Sequence, residues 1–216
     1  MAYYVRMMRQ EDVSQVTETD REAFATQWPP PNYKRELQSE LSHYIVVCDD
    51  SQVAPDSEAK EETPQSEDVI SRIRRWFGRD GTPAPAPVKT ELVIGFAGLW
   101  VIADEAHIIS IAVREKFRRQ GAGELLIIAL IELSARLKAQ TITLEARISN
   151  TAAQSLYAKF GFVRVGVRRG YYTDNREDAV LMTTDNIGSA AFQARFAELK
   201  QQHSQKWGEV CSQISG

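Results

Sequence analysis

The sequence predicts a mixed α/β fold in which strands, turns and helices succeed one another around a single sheet. Compact β-branched runs alternate with amphipathic helical stretches, most clearly in the second half of the chain. With 216 residues, of which 43% are hydrophobic and 25% charged, the chain can bury one substantial core. No apolar run approaches the roughly 20 residues of a membrane span, and the N-terminus lacks the apolar core of a secretory signal. We therefore expect one globular domain in the cytoplasm.

The composition argues against several classes of function. Cys48 and Cys211 lie far apart and form no C-x-x-C pair, and the three histidines are scattered, so neither a disulfide framework nor a metal site is expected. A net charge of -3 disfavours a surface devoted to nucleic acid, although a local basic patch stays open. We predict no metal cofactor, no membrane contact and no direct nucleic-acid partner.

The first predicted elements are two helices and a strand. Residues 11–25 predict a helix that the following prolines end. A second short helix follows, in which Tyr33, Leu37 and Leu41 recur at four-residue spacing. Residues 43–48 then form a compact β-branched run, which is typical of a strand.

Residues 50–89 change character and predict an insertion between two strands. From Asp49 to Asp68 there are eight acids against one lysine, and chains of this composition bury too little apolar surface to fold. Residues 69–77 predict a short amphipathic turn of helix, and residues 78–87 have linker composition. A tolerated surface loop and a partner-binding segment both remain open.

The second half of the chain gives the sharper pattern. Residues 123–138 predict a helix with leucines on one stripe. Asn150 is placed to cap a further helix, and Gly161 stands where a left-handed C-terminal cap is needed. The main domain is expected at residues 1–187, with a helical C-terminal extension at 188–216. Strands are predicted at residues 91–103, 107–113, 141–148, 162–167 and 179–184.

The most informative segment leads from a buried strand through a basic, glycine-bearing turn into a helix. Gly121 and Gly123 would let the main chain approach a ligand, and the free N–H groups of the first helical turn attract phosphate oxygens. Arg118 and Arg119 would add positive charge. A Walker loop is absent, and a dinucleotide fingerprint would need a third glycine, although Glu145 lies at about the spacing of its acid. A plain strand-to-helix turn remains the alternative.

The pattern Arg118-x-x-Gly121-x-Gly123 resembles the R/Q-x-x-G-x-G/A signature of the GNAT acetyltransferases. Later segments resemble the RimI-type branch, the ribosomal-protein-alanine N-acetyltransferases, and the likeness leaves out only the insertion and the C-terminal extension. It implies the GNAT fold, a mixed and mostly antiparallel sheet with splayed central strands flanked by helices, and acetyl-CoA as cosubstrate. The segments are LEARISN at 144–150, LY at 156–157, FGF at 160–162, RRGYY at 168–172 and REDA at 176–179.

By this resemblance the strand before the loop binds the pantetheine arm through its main chain, and the N–H of Val113 polarises the thioester carbonyl. Asn150 is a helix cap, a partner of the cofactor arm, or both. The full set of implied acetyl-CoA-binding residues is Ile111, Ala112, Val113, Arg118, Arg119, Gln120, Gly121, Ala122, Gly123, Glu124, Asn150 and Tyr157.

Acyl transfer to an amine needs a base for the amine and a proton donor for the departing thiolate. Glu145 is an acid in an otherwise apolar strand, which the residues alone explain equally by an edge position or a salt bridge. Resemblance makes it the general base. Tyr157 lies on an inward helix stripe and reads as a core tyrosine; resemblance makes it the proton donor, and its ordinary pKa of roughly 10 suits that role.

A protein N-terminus is the expected acceptor. An α-amine, with a pKa of about 8, is partly unprotonated at neutral pH, whereas a lysine near 10.4 is almost fully protonated. The resemblance implies a ribosomal protein as the acceptor. The turn at residues 173–175 is shorter than the corresponding turn of the family. A lysine, polyamine or small amine as acceptor, and a non-catalytic CoA-binding module, are the alternatives. The residues predicted to line a peptide groove are Trp28, Arg168, Tyr171 and Tyr172.

Overall fold

A computed structural model gives the structure of residues 3–24, 31–53, 91–208 and 211–214. Within these residues one sheet is flanked by helices on both faces. Its strands are β1 Tyr3–Met7, β2 Ser42–Val53, β3 Glu91–Ile102, β4 Glu105–Val113, β5 Thr141–Arg147, β6 Phe162–Tyr172, β7 Glu177–Thr184 and β8 Cys211–Gln213. The helices are α1 Val13–Ala23, α2 Tyr33–Glu36, α3 Ala122–Arg136, α4 Thr151–Lys159 and α5 Ala190–Trp207, with 3-10 turns at Gln10–Asp12 and Glu115–Phe117.

The described strands form a single sheet in the order β6-β7-β5-β4-β3-β2-β1-β8. Neighbours are antiparallel except for two parallel pairs, β4 with β5 and β1 with β8. The predicted mixed and mostly antiparallel sheet is therefore confirmed. No helix within the described ranges is long and apolar enough to cross a membrane.

The two central strands separate halfway along their length. β4 and β5 are paired only as far as Ile108, which lies opposite Leu144. On its other side β4 pairs with β3, where Gly98 is opposite Ser110 and the register then shifts, leaving Ile109 as the extra residue of a bulge. A bulge bends its strand and increases the local twist. Beyond Ile108 the strands therefore diverge, which confirms the splayed centre that the resemblance implied.

The core has two layers. On one face the sheet packs against α3, which is apolar nearly all round, so Ile127 is fully buried together with Leu126 and Leu130 of the predicted stripe, while Leu137 at its end is only partly buried. On the other face α1 and α2 cover a cluster that includes Tyr33 and Phe96.

Several predicted boundaries were wrong. β1 and β8 were missed, β2 continues to Val53 instead of ending near residue 48, and β6 continues to Tyr172. The second helix ends at Glu36, and a turn leads from it to β2 at Ser42, whose Oγ donates a hydrogen bond to the Glu36 carboxylate at 2.9 Å. Leu41, predicted in that helix, is consequently 54% exposed.

The insertion expected at residues 50–89 falls almost wholly outside the described residues. Its amphipathic turn at 69–77 and its linker at 78–87 both do so, as does Trp28. The C-terminal extension contributes α5 and also β8, which adds to the edge of the sheet beside β1.

Candidate functional site

Two adjoining pockets open where β4 and β5 diverge. The carboxylate pocket, 620 Å³, contains Glu145 on its wall, and the glycine-loop pocket, 490 Å³, is bordered by Gly121 and Gly123. Ile111 and Tyr157 border both pockets. The two therefore form one cleft with its junction at these side chains.

The glycine-loop pocket offers main-chain donors from the start of α3. Gly121 is the N-cap of α3 with φ +87°, a conformation that glycine adopts without strain, and no side chain caps the helix there. The first N–H groups of α3 therefore have no partner within the helix. Together with the helix dipole and four bordering cations, Arg118, Arg119, Lys159 and Lys206, they form a site suited to phosphate.

The end of β4 adds main-chain donors along the cleft. The N–H of Arg114 bonds to the Ile94 oxygen of β3 at 2.8 Å. Because successive N–H groups of a strand point to opposite sides, those of Val113 and Ile111 point away from β3, towards the gap where β5 has diverged. Ala112 lies between them.

Three residues that were predicted to bind acetyl-CoA make other contacts in the structure. Gln120 braces the loop, accepting from the Tyr3 hydroxyl at 2.9 Å and donating to a main-chain oxygen, and it does not border either pocket. The methyl group of Ala122 is buried in the core, which leaves only its N–H for a ligand. Glu124 forms an ion pair with Lys159 at 2.8 Å on the pocket wall.

Asn150 is a helix cap that also reaches the cleft. Its Oδ1 accepts a hydrogen bond from the Ala153 N–H at 3.1 Å, which satisfies a free donor of the first turn of α4. The same residue borders the carboxylate pocket. The predicted cap is confirmed.

Glu145 lies in the middle of β5 with its side chain only 5% exposed. Its Oε2 is 2.9 Å from His107 Nε2, and its Oε1 is 3.0 Å from Arg168 Nη1, a charge contact without hydrogen-bond geometry. Burial raises the pKa of the carboxyl group, but the hydrogen bond and charge of His107, together with Arg168, outweigh burial and lower it overall. Glu145 is therefore ionised at neutral pH.

A chain of hydrogen bonds leads from Glu145 to the surface. His107 Nδ1 lies 3.0 Å from Thr143 Oγ1, which donates to the exposed carboxylate of Glu105 at 2.9 Å. The sequence prediction missed His107. Its polar side chain in an apolar strand was the available signal, but only the parallel register, which sets His107 opposite Thr143, brings it beside Glu145.

Tyr157 projects from α4 to the junction of the two pockets and is 6% exposed. Its ring packs against Phe162 with centroids 5.8 Å apart. Burial raises the pKa of its phenol, with the nearby Tyr172 adding to the effect, so the hydroxyl keeps its proton well above neutral pH. A buried proton donor thus stands between the carboxylate and the glycine loop.

The end of β6 closes the carboxylate pocket. Tyr171 and Tyr172 form an edge-to-face pair with centroids 5.2 Å apart, and both border the pocket. The guanidinium of Arg168 lies 5.6 Å from the Tyr171 ring while contacting Glu145. The structure thus brings three of the four predicted groove residues to the carboxylate, and the fourth, Trp28, lies outside the described residues.

The structure adds residues that the sequence did not indicate. Ser110 borders the carboxylate pocket, and its buried hydroxyl has no hydrogen-bond partner within the described chain. Lys206 and Trp207, at the end of α5, border the glycine-loop pocket. Among the described residues there is no cluster of His, Cys, Asp or Glu suited to a metal ion.

Comparisons with known proteins agree on one family. The model of the family described as "Acetyltransferase (GNAT) family" matches residues 54–162. A Bacillus subtilis (strain 168) protein named "Putative ribosomal protein bS18-alanine N-acetyltransferase" is 31% identical over 179 residues, which cover 82% of this chain and 92% of that protein. The ribosomal protein bS18-alanine N-acetyltransferase of Escherichia coli (strain K12) is 44% identical over 89 residues, 40% of this chain and 60% of that protein.

The comparison with solved structures identifies the same group of proteins as the comparison of sequences. The crystal structure of the ribosomal-protein-S18-alanine N-acetyltransferase from Escherichia coli superposes with a TM-score of 0.60 at 25% sequence identity. The superposition covers 85% of this chain and 94% of that structure. Sequence and structure therefore point to the same group of proteins.

Proposed function

This chain belongs to the acetyltransferase (GNAT) family, and we propose that its acceptor is the N-terminal α-amine of a protein, the alanine of ribosomal protein bS18 in the first instance. It is an acetyl-CoA-dependent N-acetyltransferase. The observation that carries the proposal is the single cleft in which an ionised Glu145 and a protonated Tyr157 flank the junction of the two pockets. We propose that it acts in the cytoplasm, where ribosomal proteins are made.

The glycine-loop pocket fits acetyl-CoA. Unpartnered N–H groups at the start of α3, with Arg118 and Arg119, suit the diphosphate. The N–H groups of Ile111 and Val113, which face the gap, suit the amide groups of the pantetheine arm. An arm that follows β4 in this way ends with its thioester at the junction beside Tyr157.

The reaction is direct transfer in a ternary complex. The amine nitrogen attacks the thioester carbonyl carbon, a C–N bond forms, and the C–S bond breaks. Glu145 accepts the proton that the amine loses, directly or through water, and Tyr157 donates its proton to the departing thiolate. The Val113 N–H stabilises the negative charge on the carbonyl oxygen during the attack.

The state of Glu145 favours an α-amine as acceptor. A carboxylate whose pKa is lowered is a weak base, so it suits an amine that is already partly unprotonated. His107 holds the carboxylate in place through its Nε2, and its other ring nitrogen is joined through Thr143 to the surface. Tyr171, Tyr172 and Arg168 border the place where the first residues of the peptide would lie, and we assign Trp28 to the same groove.

The decisive experiment measures CoA release and product mass with short peptides that have free Ala, Ser or Met N-termini. Matched peptides with acetylated N-termini and an internal lysine serve as controls. We expect acetylation of the free N-termini only, with alanine preferred. Modification of the blocked peptides would replace the proposal with a lysine acetyltransferase, and acetyl-CoA binding without turnover would favour a small amine or a binding module.

A further inference from the structure

The C-terminal helix α5 is fixed against the glycine loop. His203 is buried, and its Nε2 lies 3.2 Å from the main-chain oxygen of Gly121. The indole of Trp207 packs so closely on the same glycine that a Cβ there would lie 2.7 Å from the ring. Lys200 forms an ion pair with Glu132 of α3. The end of α5 thus has a defined place beside the loop.

Trp207 and Lys206 each have an unused polar group at this pocket. The indole Nε1 of Trp207 is buried, with no hydrogen-bond partner among the described residues. Leaving a buried donor unpaired is unfavourable, so a site of this kind is suited to a ligand that accepts the bond. The Lys206 ammonium lies 4.8 Å from the Trp207 ring centroid, and no described carboxylate pairs with it.

The cations of the glycine-loop pocket can be assigned to the phosphate groups of acetyl-CoA, and the 3′-phosphate is the group that still needs one. Acetyl-CoA carries a diphosphate and a 3′-phosphate, about four negative charges at neutral pH. The start of α3 with Arg118 and Arg119 suits the diphosphate, and Lys159 is already paired with Glu124. Lys206 is the remaining cation on the pocket wall.

We propose that Lys206 and Trp207 form a subsite for the nucleotide end of acetyl-CoA, supplied by the C-terminal extension. Lys206 binds the 3′-phosphate, and the indole N–H of Trp207 donates a hydrogen bond to the nucleotide. The subsite borders the glycine-loop pocket and not the carboxylate pocket, so it governs affinity for the cofactor and not the rate of transfer. The proposal rests on the assignment of the glycine-loop pocket to acetyl-CoA.

Binding of CoA and of 3′-dephospho-CoA, measured by calorimetry, tests the subsite. Lys206→Met keeps the aliphatic stem and removes the charge, so we expect CoA to bind about tenfold more weakly and 3′-dephospho-CoA to bind as before. Trp207→Ala should weaken both ligands, and Trp207→Phe, which keeps a packed ring, should weaken both by a smaller factor. Gln202→Met is the matched control, because it places the same side chain at an exposed position of the same helix, and it should change neither.

Unchanged CoA binding by Lys206→Met, or an equal loss for both ligands, would overturn the phosphate assignment. Tighter binding by Trp207→Ala would overturn the subsite, because α5 would then be competing with the cofactor. Gly123→Glu separates this inference from the site assignment on which it rests. That variant places a carboxylate in the phosphate loop and should abolish binding of both ligands; if it does not, acetyl-CoA lies elsewhere.

Discussion

The two pockets of the cleft are built in different ways. The main-chain donors of the glycine-loop pocket come from one continuous segment, from β4 through Gly121 and Gly123 into α3, and α4 and α5 complete its wall. The carboxylate pocket depends on single side chains from separate strands, where His107 and Arg168 both contact Glu145. Substitutions in the glycine-loop pocket should therefore change the affinity for acetyl-CoA, and substitutions in the carboxylate pocket should change the turnover rate.

The strongest test of this division is Glu145→Gln, which keeps the shape of the side chain and removes the base. We expect kcat to fall about a thousandfold, within the range for loss of a general base. The Kd for CoA should stay within about twofold, because the carboxylate does not border the glycine-loop pocket. Steady-state kinetics and calorimetry on one preparation give both values.

Glu105→Gln is the control for that measurement, since it removes a carboxylate at the exposed end of the same hydrogen-bond chain. It should retain most of the activity. If Glu145→Gln lost affinity for CoA by as large a factor as it lost kcat, the two pockets would not be separable. If Glu145→Gln kept full activity, Glu145 would have no part in the mechanism.

Tyr157 lies at the junction of the two pockets, so its substitution tests whether turnover can be changed without changing CoA binding. Tyr157→Phe keeps the ring against Phe162 and removes only the hydroxyl. We expect kcat to fall about a hundredfold with CoA binding nearly kept, because the thiolate must then take its proton from water. An acetyl donor with a more acidic leaving thiol should recover much of the lost rate in this variant but not in Glu145→Gln; equal recovery in both would contradict the assignment of Tyr157 as proton donor.

The same contrast explains what the sequence could and could not predict. The strand, loop and helix that contain Gly121 are contiguous, so their residue types alone indicated a phosphate site. His107 and Arg168 reach Glu145 only through the register of β4 on β5 and the fold of β6, neither of which local spacing reveals. The position of Trp207 against the loop depends on how a whole helix docks, and composition indicated the helix but not its place.

The pH profile distinguishes the base from the acceptor. Because the pKa of Glu145 is lowered, its carboxylate is present throughout the neutral range, and its contribution to stability is lost only as pH falls through that lowered pKa. We expect kcat/KM for an alanine peptide to rise about fifteenfold from pH 6.5 to 8, following the free fraction of an α-amine with a pKa of about 8. Because burial raises the pKa of Tyr157, no alkaline decline should appear below about pH 9.

A peptide whose N-terminal amine has a lower pKa provides the control for this profile. Its rise should move to lower pH by the same amount as the amine's own pKa. If kcat/KM rose over the same pH range with both peptides, the titrating group would belong to the enzyme, and the Glu145–His107 pair would be the first candidate.

The smallest expected effect concerns the wall of the carboxylate pocket. Arg147 lies 4.0 Å from the Tyr172 ring centroid and binds Asp174 and Glu177 at 2.8 Å, which ties the turn between β6 and β7 to β5. Hydrogen bonds from Ser149 and Arg147 lower the pKa of Glu177 to about 2, so these pairs persist across the working pH range.

Arg147→Met should loosen Tyr172 without touching the base, so we expect KM for the peptide to rise about threefold while kcat and CoA affinity are kept. Arg169→Met is the matched control, because Arg169 is exposed on β6 and pairs with no described carboxylate. A fall in kcat with an unchanged peptide KM would mean that the turn positions Glu145 instead of the peptide. In that case the wall and the base of the carboxylate pocket would be one unit, and the acceptor would be selected elsewhere in the cleft.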